Sequence, residues 1–149
     1  MSSVHLSVEI AAPRSLVWRI LTAKELWYRW NTFLFDCDPN LPFAPDREVL
    51  LGLRRLPDED PTIFRSRVTG FSPETYLRWQ SQIPGLCSET RFELQDLGPD
   101  RTQYVYSSRG KGWLARLLLP LLRRDDRQGS QRMAWELKDY AEQVFRDRP

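Results

Sequence analysis

The feature that most constrains the fold is a series of short segments in which apolar and polar residues alternate, followed by one long segment with helical periodicity. In the first segment, Val4, Leu6, Val8 and Ile10 alternate with polar residues. This period of two is typical of a strand that buries one face. The same alternation predicts six further strands, at about residues 32–38, 49–53, 64–68, 77–80, 91–95 and 102–106. Their short links favour antiparallel pairing of consecutive strands.

Helical spacing appears in three places. A short helix is predicted after Pro13, where Leu16, Val17, Ile20 and Leu21 recur every three to four residues. A second short helix is predicted from Ala23 to Arg29. The leucine-rich segment from Trp113 to Leu122 predicts another short helix, which we expect to stop or kink at Pro120.

The last helix is the longest. From about Gln128 to Arg146, apolar residues follow the helical period: Met133, Ala134, Leu137, Ala141, Val144 and Phe145. An antiparallel sheet with one apolar face needs a cover, and this helix is the element long enough to provide it. The sequence therefore predicts a single α+β domain over residues 1–149, with a curved antiparallel sheet of about six to seven strands wrapped around the C-terminal helix.

Composition excludes several classes of protein. No apolar run approaches the roughly 20 residues of a membrane-spanning helix, and the N-terminus does not resemble a signal peptide. The two cysteines, Cys37 and Cys87, are interpreted as reduced thiols of a cytoplasmic protein. The one histidine, His5, is out of phase with the apolar set and excludes a metal site with two histidines. We expect no metal, no cofactor and no catalytic residue.

The charged residues are distributed unevenly, with one basic segment near the C-terminal third of the chain. The chain has 22 basic and 20 acidic residues, a net charge of +2, and its pI of about 8.7 argues against a nucleic-acid partner. Residues 109–132 contain seven basic and two acidic residues, or +5 (7 − 2). We interpret this segment as a lid packed on the sheet, with docking on an anionic membrane surface as the less favoured alternative.

Several motifs, in order, resemble the START-like superfamily, also called the SRPBCC or helix-grip proteins, and within it the polyketide cyclase/dehydrase and lipid transport branch. The opening VEIAAPRSLVWRILT resembles that branch's strand, Ala-Pro turn and helix. The similar motifs that follow are WNTF at 30–33, Val68, Leu77 with Trp79, TRFEL at 90–94, Gly112, Met133 and LKDYAE at 137–142. Thr90 stands where many relatives have a histidine.

The resemblance implies a helix-grip fold around a cavity for apolar ligands. Large aromatic residues fall on the predicted inner faces, where they either fill a core or line such a pocket. In the pocket interpretation, Tyr104 and Tyr106 offer hydroxyls that orient a ligand. The predicted lining residues are Trp30, Phe33, Phe35, Leu51, Phe64, Val68, Leu77, Trp79, Phe92, Tyr104, Tyr106, Met133 and Leu137.

Three functions remain open at this point. The preferred hypothesis is an intracellular protein that binds a small hydrophobic or lipid-like ligand without catalysis. The first alternative is an enzyme of the cyclase/dehydrase kind, in which a shaped pocket folds a reactive chain. The second is a protein-interaction module similar to START-like co-chaperones. The sequence leaves the ligand and the oligomeric state open.

Overall fold

The structure is a computed structural model. It describes residues 2–54, 60, 62–83, 86–111 and 113–148, and gives only the backbone for 2–3, 82–83, 86, 111 and 113–126. The basic side chains predicted to form a lid therefore lie largely outside the described residues.

Seven strands form one antiparallel sheet. Their order in the sheet is β1-β7-β6-β5-β4-β3-β2. The strands are β1 (Ser2–Ile10), β2 (Leu34–Asp36), β3 (Glu48–Leu53), β4 (Thr62–Ser72), β5 (Tyr76–Ile83), β6 (Leu86–Gly98) and β7 (Arg101–Lys111). Strands β2 to β7 are neighbours in chain order, and the links between β4, β5, β6 and β7 are of turn length, which favours this pairing. The curled sheet and the C-terminal helix confirm the predicted α+β helix-grip fold.

The described residues also form three helices. Helix α1 (Arg14–Thr22) follows Pro13, and a 3-10 helix occupies Lys24–Arg29, close to the two predicted short helices. Helix α2 runs without a break over Trp113–Arg146. The predicted stop at Pro120 is therefore wrong. A proline removes one backbone hydrogen bond from a helix, and in this long helix the bonds on either side maintain the helical path.

Strand β2 is shorter than the predicted strand 32–38. The Asn31 side-chain oxygen accepts hydrogen bonds from the backbone N–H groups of Phe33 and Leu34, at 3.0 and 2.9 Å. Such a side-chain turn competes with strand pairing, so the ladder begins only at Leu34. At the other end, the Asp36 side chain accepts a bond from the Asp38 N–H at 2.8 Å and bends the chain away.

Polar contacts fix the C-terminal half of α2. The Glu142 carboxylate accepts a hydrogen bond from the Ala11 N–H at 2.8 Å, just after β1. Lys138 donates to the Glu9 carbonyl at 3.0 Å and also pairs with Glu142. Arg132 donates to the Arg54 carbonyl at 3.0 Å, after β3. These contacts hold α2 against both sides of the sheet, so its position over the concave face is defined.

Candidate functional site: the inner face of the sheet

A chain of aromatic rings fills the middle of the inner face. Trp79 on β5 lies between Phe43, stacked at 5.7 Å between ring centroids, and Phe92 on β6 at 5.1 Å. Phe92 in turn contacts Tyr106 at 5.4 Å and Tyr104 at 6.3 Å, both on β7. Offset and edge-on pairs at these distances are favourable beyond the area they bury. Four of the predicted inward aromatic residues, Trp79, Phe92, Tyr104 and Tyr106, are thus brought together.

Most of the predicted lining residues belong to this packed core. Eleven of them are buried: Trp30, Phe33, Leu51, Val68, Leu77, Trp79, Phe92, Tyr104, Tyr106, Met133 and Leu137. Seven of the eleven have no accessible surface at all, which leaves no water-sized space beside them. Any open volume on the inner face must therefore lie beyond these seven side chains. The ligand-contacting role of the whole set stays a prediction.

Phe35 is placed apart from the others. It pairs with Gly52 of β3, whereas its neighbour Asp36 pairs with the fully buried Leu51. Paired residues share a face and successive residues alternate, so Phe35 lies on the outer face. Its ring covers Gly52 so closely that a Cβ there would lie 2.1 Å from ring atoms. The expectation that Phe35 faces inward is corrected by this register.

Phe64 is the predicted lining residue that is half-buried on the inner face. It pairs with Leu51 across β3 and β4, and part of its side chain stays accessible. Phe64 therefore marks the border between the packed core and a more open end of the sheet.

That open end has small side chains, most of them with hydroxyl groups. Strand register places Thr90 beside Trp79 and Ser108, and places Ser88 beside Ser81 and Gly110, all on the inner face. Each of these small residues is half-buried. Small residues in place of aromatic ones leave volume above the sheet, and their partial exposure shows that it is not filled by the described side chains.

The N-terminal half of α2 starts beside this open end. Strand β7 ends at Lys111 and α2 begins at Trp113. Two peptide units span at most about 7.6 Å, so the first turn of α2 lies near Gly110. The helix then runs toward the opposite end of the sheet, where Glu142 contacts Ala11. The small-residue end of the inner face thus lies at the start of α2, next to the packed core.

Sequence reasoning missed this group of residues. Ser81, Thr90 and Ser108 continue the same alternation that identified Trp79, Phe92 and Tyr106 as inward. These residues could have been found by continuing the inward–outward alternation of each strand beyond its last apolar residue. Hydroxyl side chains were not recognised because a polar residue in a strand normally suggests the solvent face.

A buried ion pair supports the other edge of the site. The Lys24 ammonium lies 2.7 Å from Oδ1 of Asp36 and 2.6 Å from the Asp38 carbonyl oxygen, and it faces the Phe43 ring at 5.9 Å. Burial, followed by the negative charge of Asp36, raises the pKa of the neighbouring Cys37 thiol. The pair ties the 3-10 helix to β2 and positions Phe43 against Trp79.

Ionisable groups and metal ligands are sparse in this region. His5 lies exposed on the outer face of β1, as expected, Cys37 is a free thiol, and Cys87 lies half-buried on β6. Within the described ranges, no three His, Cys, Asp or Glu side chains are grouped as metal ligands would be. No helix among the described residues has the length and hydropathy needed to cross a bilayer.

The curled sheet and the covering helix together form a helix-grip fold. One similar solved structure is a START superfamily protein from Mycobacterium smegmatis, with 18% identity, a TM-score of 0.74, and coverage of 97% of this chain and 99% of that one. Another is the Zhui aromatase/cyclase from a Streptomyces species, with 17% identity, a TM-score of 0.74, and coverage of 97% and 96%.

A third similar structure is protein NE0264 from Nitrosomonas europaea, with 20% identity, a TM-score of 0.71, and coverage of 95% of each chain. No family model and no curated protein sequence matches this chain. At these identities the likeness establishes the fold, which agrees with the resemblance seen in the sequence motifs.

Proposed function

We propose that this protein binds a small apolar ligand between the inner face of the sheet and the N-terminal half of α2. One observation carries the proposal. At one end of the sheet, the inner face carries a group of neighbouring half-buried residues: Phe64 on β4 and the small residues Ser81, Ser88, Thr90 and Ser108. A concave, partly apolar recess of this kind is the usual form of a small-molecule site, and the START-like fold supports the same function.

The proposal excludes the packed aromatic core as the main binding surface. Trp79 and Phe92 have exposures of 2% and 0% and contact other rings on both sides. A ligand at that position would have to displace them, at the cost of well-packed contacts. We therefore assign these side chains to the floor that borders the ligand. An intracellular location belongs to the same proposal and is supported by the free thiol of Cys37.

The test is a titration with a neutral apolar fluorescent dye, such as Nile red, on variants that fill the recess. Ser108→Phe adds a ring on the inner face, whereas the matched control Ser107→Phe adds it on the outer face of the same strand. We expect dye binding to be lost in Ser108→Phe and retained in Ser107→Phe. Circular dichroism checks that both variants are folded. Equal binding by the two variants would contradict the proposal.

A second candidate function is an enzyme of the cyclase/dehydrase kind, favoured by the likeness to the Zhui aromatase/cyclase. Tyr104 and Tyr106 have exposures of only 0% and 2%, so their side chains offer little accessible surface to a substrate in the recess. Its test is incubation with a reactive polyketide thioester analogue and detection of dehydrated product by mass spectrometry. Product that forms with wild type and not with Ser108→Phe would favour the enzyme.

A further inference from the structure

We propose that Ser88, Thr90 and Ser108 form a polar subsite that binds a hydroxyl or carbonyl oxygen of a neutral apolar ligand. This inference rests on the proposed function and deepens it, since it specifies the chemistry of the ligand end held at the small-residue end of the inner face.

The strand register brings these three hydroxyls together. Thr90 on β6 pairs directly with Ser108 on β7, and Ser88 lies two residues along β6 on the same face. Side chains of directly paired residues have Cβ atoms about 4.5–5.5 Å apart, and those two residues apart on one strand about 7 Å. One ligand oxygen can therefore lie within hydrogen-bond reach of two of the hydroxyls.

These hydroxyls are available for a ligand. On the neighbouring strands β4 and β5, the hydroxyls of Ser66 and Ser81 form a hydrogen bond of 3.0 Å. Ser66 has no accessible surface, and this bond gives its buried hydroxyl a partner. Within the described part of the chain, the side chains of Ser88, Thr90 and Ser108 make no such bond. All three are half-buried. Each hydroxyl both donates and accepts one or more hydrogen bonds, which suits an alcohol or carbonyl oxygen.

The electrostatic surroundings favour a neutral group. The charged neighbours in these strands, Glu89, Arg91 and Arg109, occupy the alternate positions, and Arg109 pairs with Glu89 on the outer face. Among the described residues, the inner-face positions next to Thr90 and Ser108 on β5–β7 carry no charged side chain; Asp96 lies at the far end of β6, and Asp36 lies on β2, paired with Lys24. An ionised ligand group would lose hydration beside these hydroxyls, and the described neighbouring strand positions offer it no opposite charge.

The apolar part of the ligand has a matching surface. Thr90 is paired with Trp79 on β5, whose ring borders the hydroxyls on the core side. Phe64 on β4 adds a partly accessible ring at the same end. The subsite is thus a polar patch beside aromatic surface, which fits a molecule with an apolar body and one neutral oxygen.

The test compares three probes that differ in one substituent: naphthalene, 2-naphthol and 2-naphthoate. Binding is measured by nuclear magnetic resonance titration of the full chain, which gives affinity and location together. We expect 2-naphthol to bind most tightly and to shift the backbone amides of Ser88, Thr90 and Ser108. Naphthalene or 2-naphthoate binding as tightly as 2-naphthol would overturn the inference.

Two variants distinguish hydrogen bonding at the subsite from apolar binding in the recess. Thr90→Val keeps the side-chain shape and removes the hydroxyl, and Ser107→Ala is the matched control on the outer face. We expect Thr90→Val to weaken 2-naphthol binding about two- to tenfold, as for one lost hydrogen bond, and to leave naphthalene binding unchanged. Unchanged 2-naphthol binding would overturn the subsite alone. Failure of all three probes and of the fluorescent dye to bind wild type would overturn the proposed function as well.

Discussion

Lys24 and Asp36 form an ion pair that is almost completely removed from water, with 2.7 Å between Nζ and Oδ1 and side-chain exposures of 0% and 7%. A buried pair is sensitive to loss of one partner, because the other charge is then left uncompensated in a low-dielectric region. The pairing with Lys24 also explains why the charged side chain of Asp36 can face inward from β2.

Replacement of Lys24 by Met should therefore lower the free energy of unfolding by about 3–5 kcal/mol. The double variant Lys24→Met/Asp36→Asn should recover a large part of this loss, because no buried charge remains. Urea unfolding followed by circular dichroism measures both. Glu48→Gln, which removes two exposed ion pairs of 3.6 and 3.8 Å, is the control and should cost no more than about 1 kcal/mol. A double variant as unstable as the sum of the two single variants would contradict this account.

Gly129 in α2 should not tolerate alanine. A Cβ at this position would lie 2.2 Å from ring atoms of Phe33, which is 1% exposed and has little room to move. Alanine is favoured over glycine within a helix by about 1 kcal/mol, but overpacking costs about 1–3 kcal/mol. We expect Gly129→Ala to be destabilising in thermal unfolding.

The control for that experiment is Gln131→Ala, an exposed position in the same helix, which should change stability by less than about 0.5 kcal/mol. The double variant Phe33→Leu/Gly129→Ala should be more stable than the sum of its single changes predicts, since the two sites are in contact. A stabilising Gly129→Ala would show that the helix does not approach Phe33 this closely.

Glu142 should make stability dependent on pH. Burial raises the pKa of its carboxyl, but the hydrogen bonds from Lys138 and from the Ala11 N–H outweigh burial, so the pKa lies below its ordinary value of 4.5. With the folded-state pKa depressed, the carboxylate stabilises the fold fully above the unfolded-state pKa. This contribution is lost as the pH falls through the folded-state pKa.

Glu142→Gln should therefore be less stable than wild type at pH 7 by about 1–3 kcal/mol, the usual value for hydrogen bonds to a charged group. The difference should shrink as the pH falls below about 4. Denaturant unfolding at a series of pH values measures both trends. Gln143→Ala, an exposed neighbour without a titratable group, should retain the pH dependence of wild type. A difference that grew at low pH would contradict the sign.

Trp79 should behave as a core residue. It has 2% exposure and lies between the Phe43 and Phe92 rings, so truncation to Ala should cost about 3–5 kcal/mol. Trp135→Ala is the matched control, because that indole is 52% exposed, and it should cost less than about 1 kcal/mol. Equal effects of the two substitutions would indicate that the inner aromatic chain is not packed as described.

Much of the fold could be predicted from local sequence patterns. Alternation in β1 and β4–β7 identified strands and their inner faces because a period of two is a property of the chain itself. The pairing of Leu77, Phe92 and Tyr106 across three strands was implied by turn-length links between them. The buried positions Met133, Leu137 and Ala141 followed in the same way from the helical period.

Local patterns failed where a distant contact decided the outcome. In the region of β2, the sequence allows two orientations of the strand. One orientation turns Phe33, Phe35 and Cys37 inward. The other turns Leu34 and Asp36 inward. The apolar orientation was predicted, but the observed orientation has Asp36 inward, since Lys24 neutralises its charge. A buried carboxylate becomes acceptable only when such a partner is present, and that partner lies 12 residues away.

The sequence by itself determined which elements form and which side chains are apolar, because hydrophobic periodicity and turn chemistry act over a few residues. Tertiary structure decided which side chains meet. It filled the middle of the inner face with interlocked rings, and strand register gathered Ser88, Thr90 and Ser108 from two strands at its open end. Register depends on contacts across the whole sheet, and for this reason the candidate site became visible only in three dimensions.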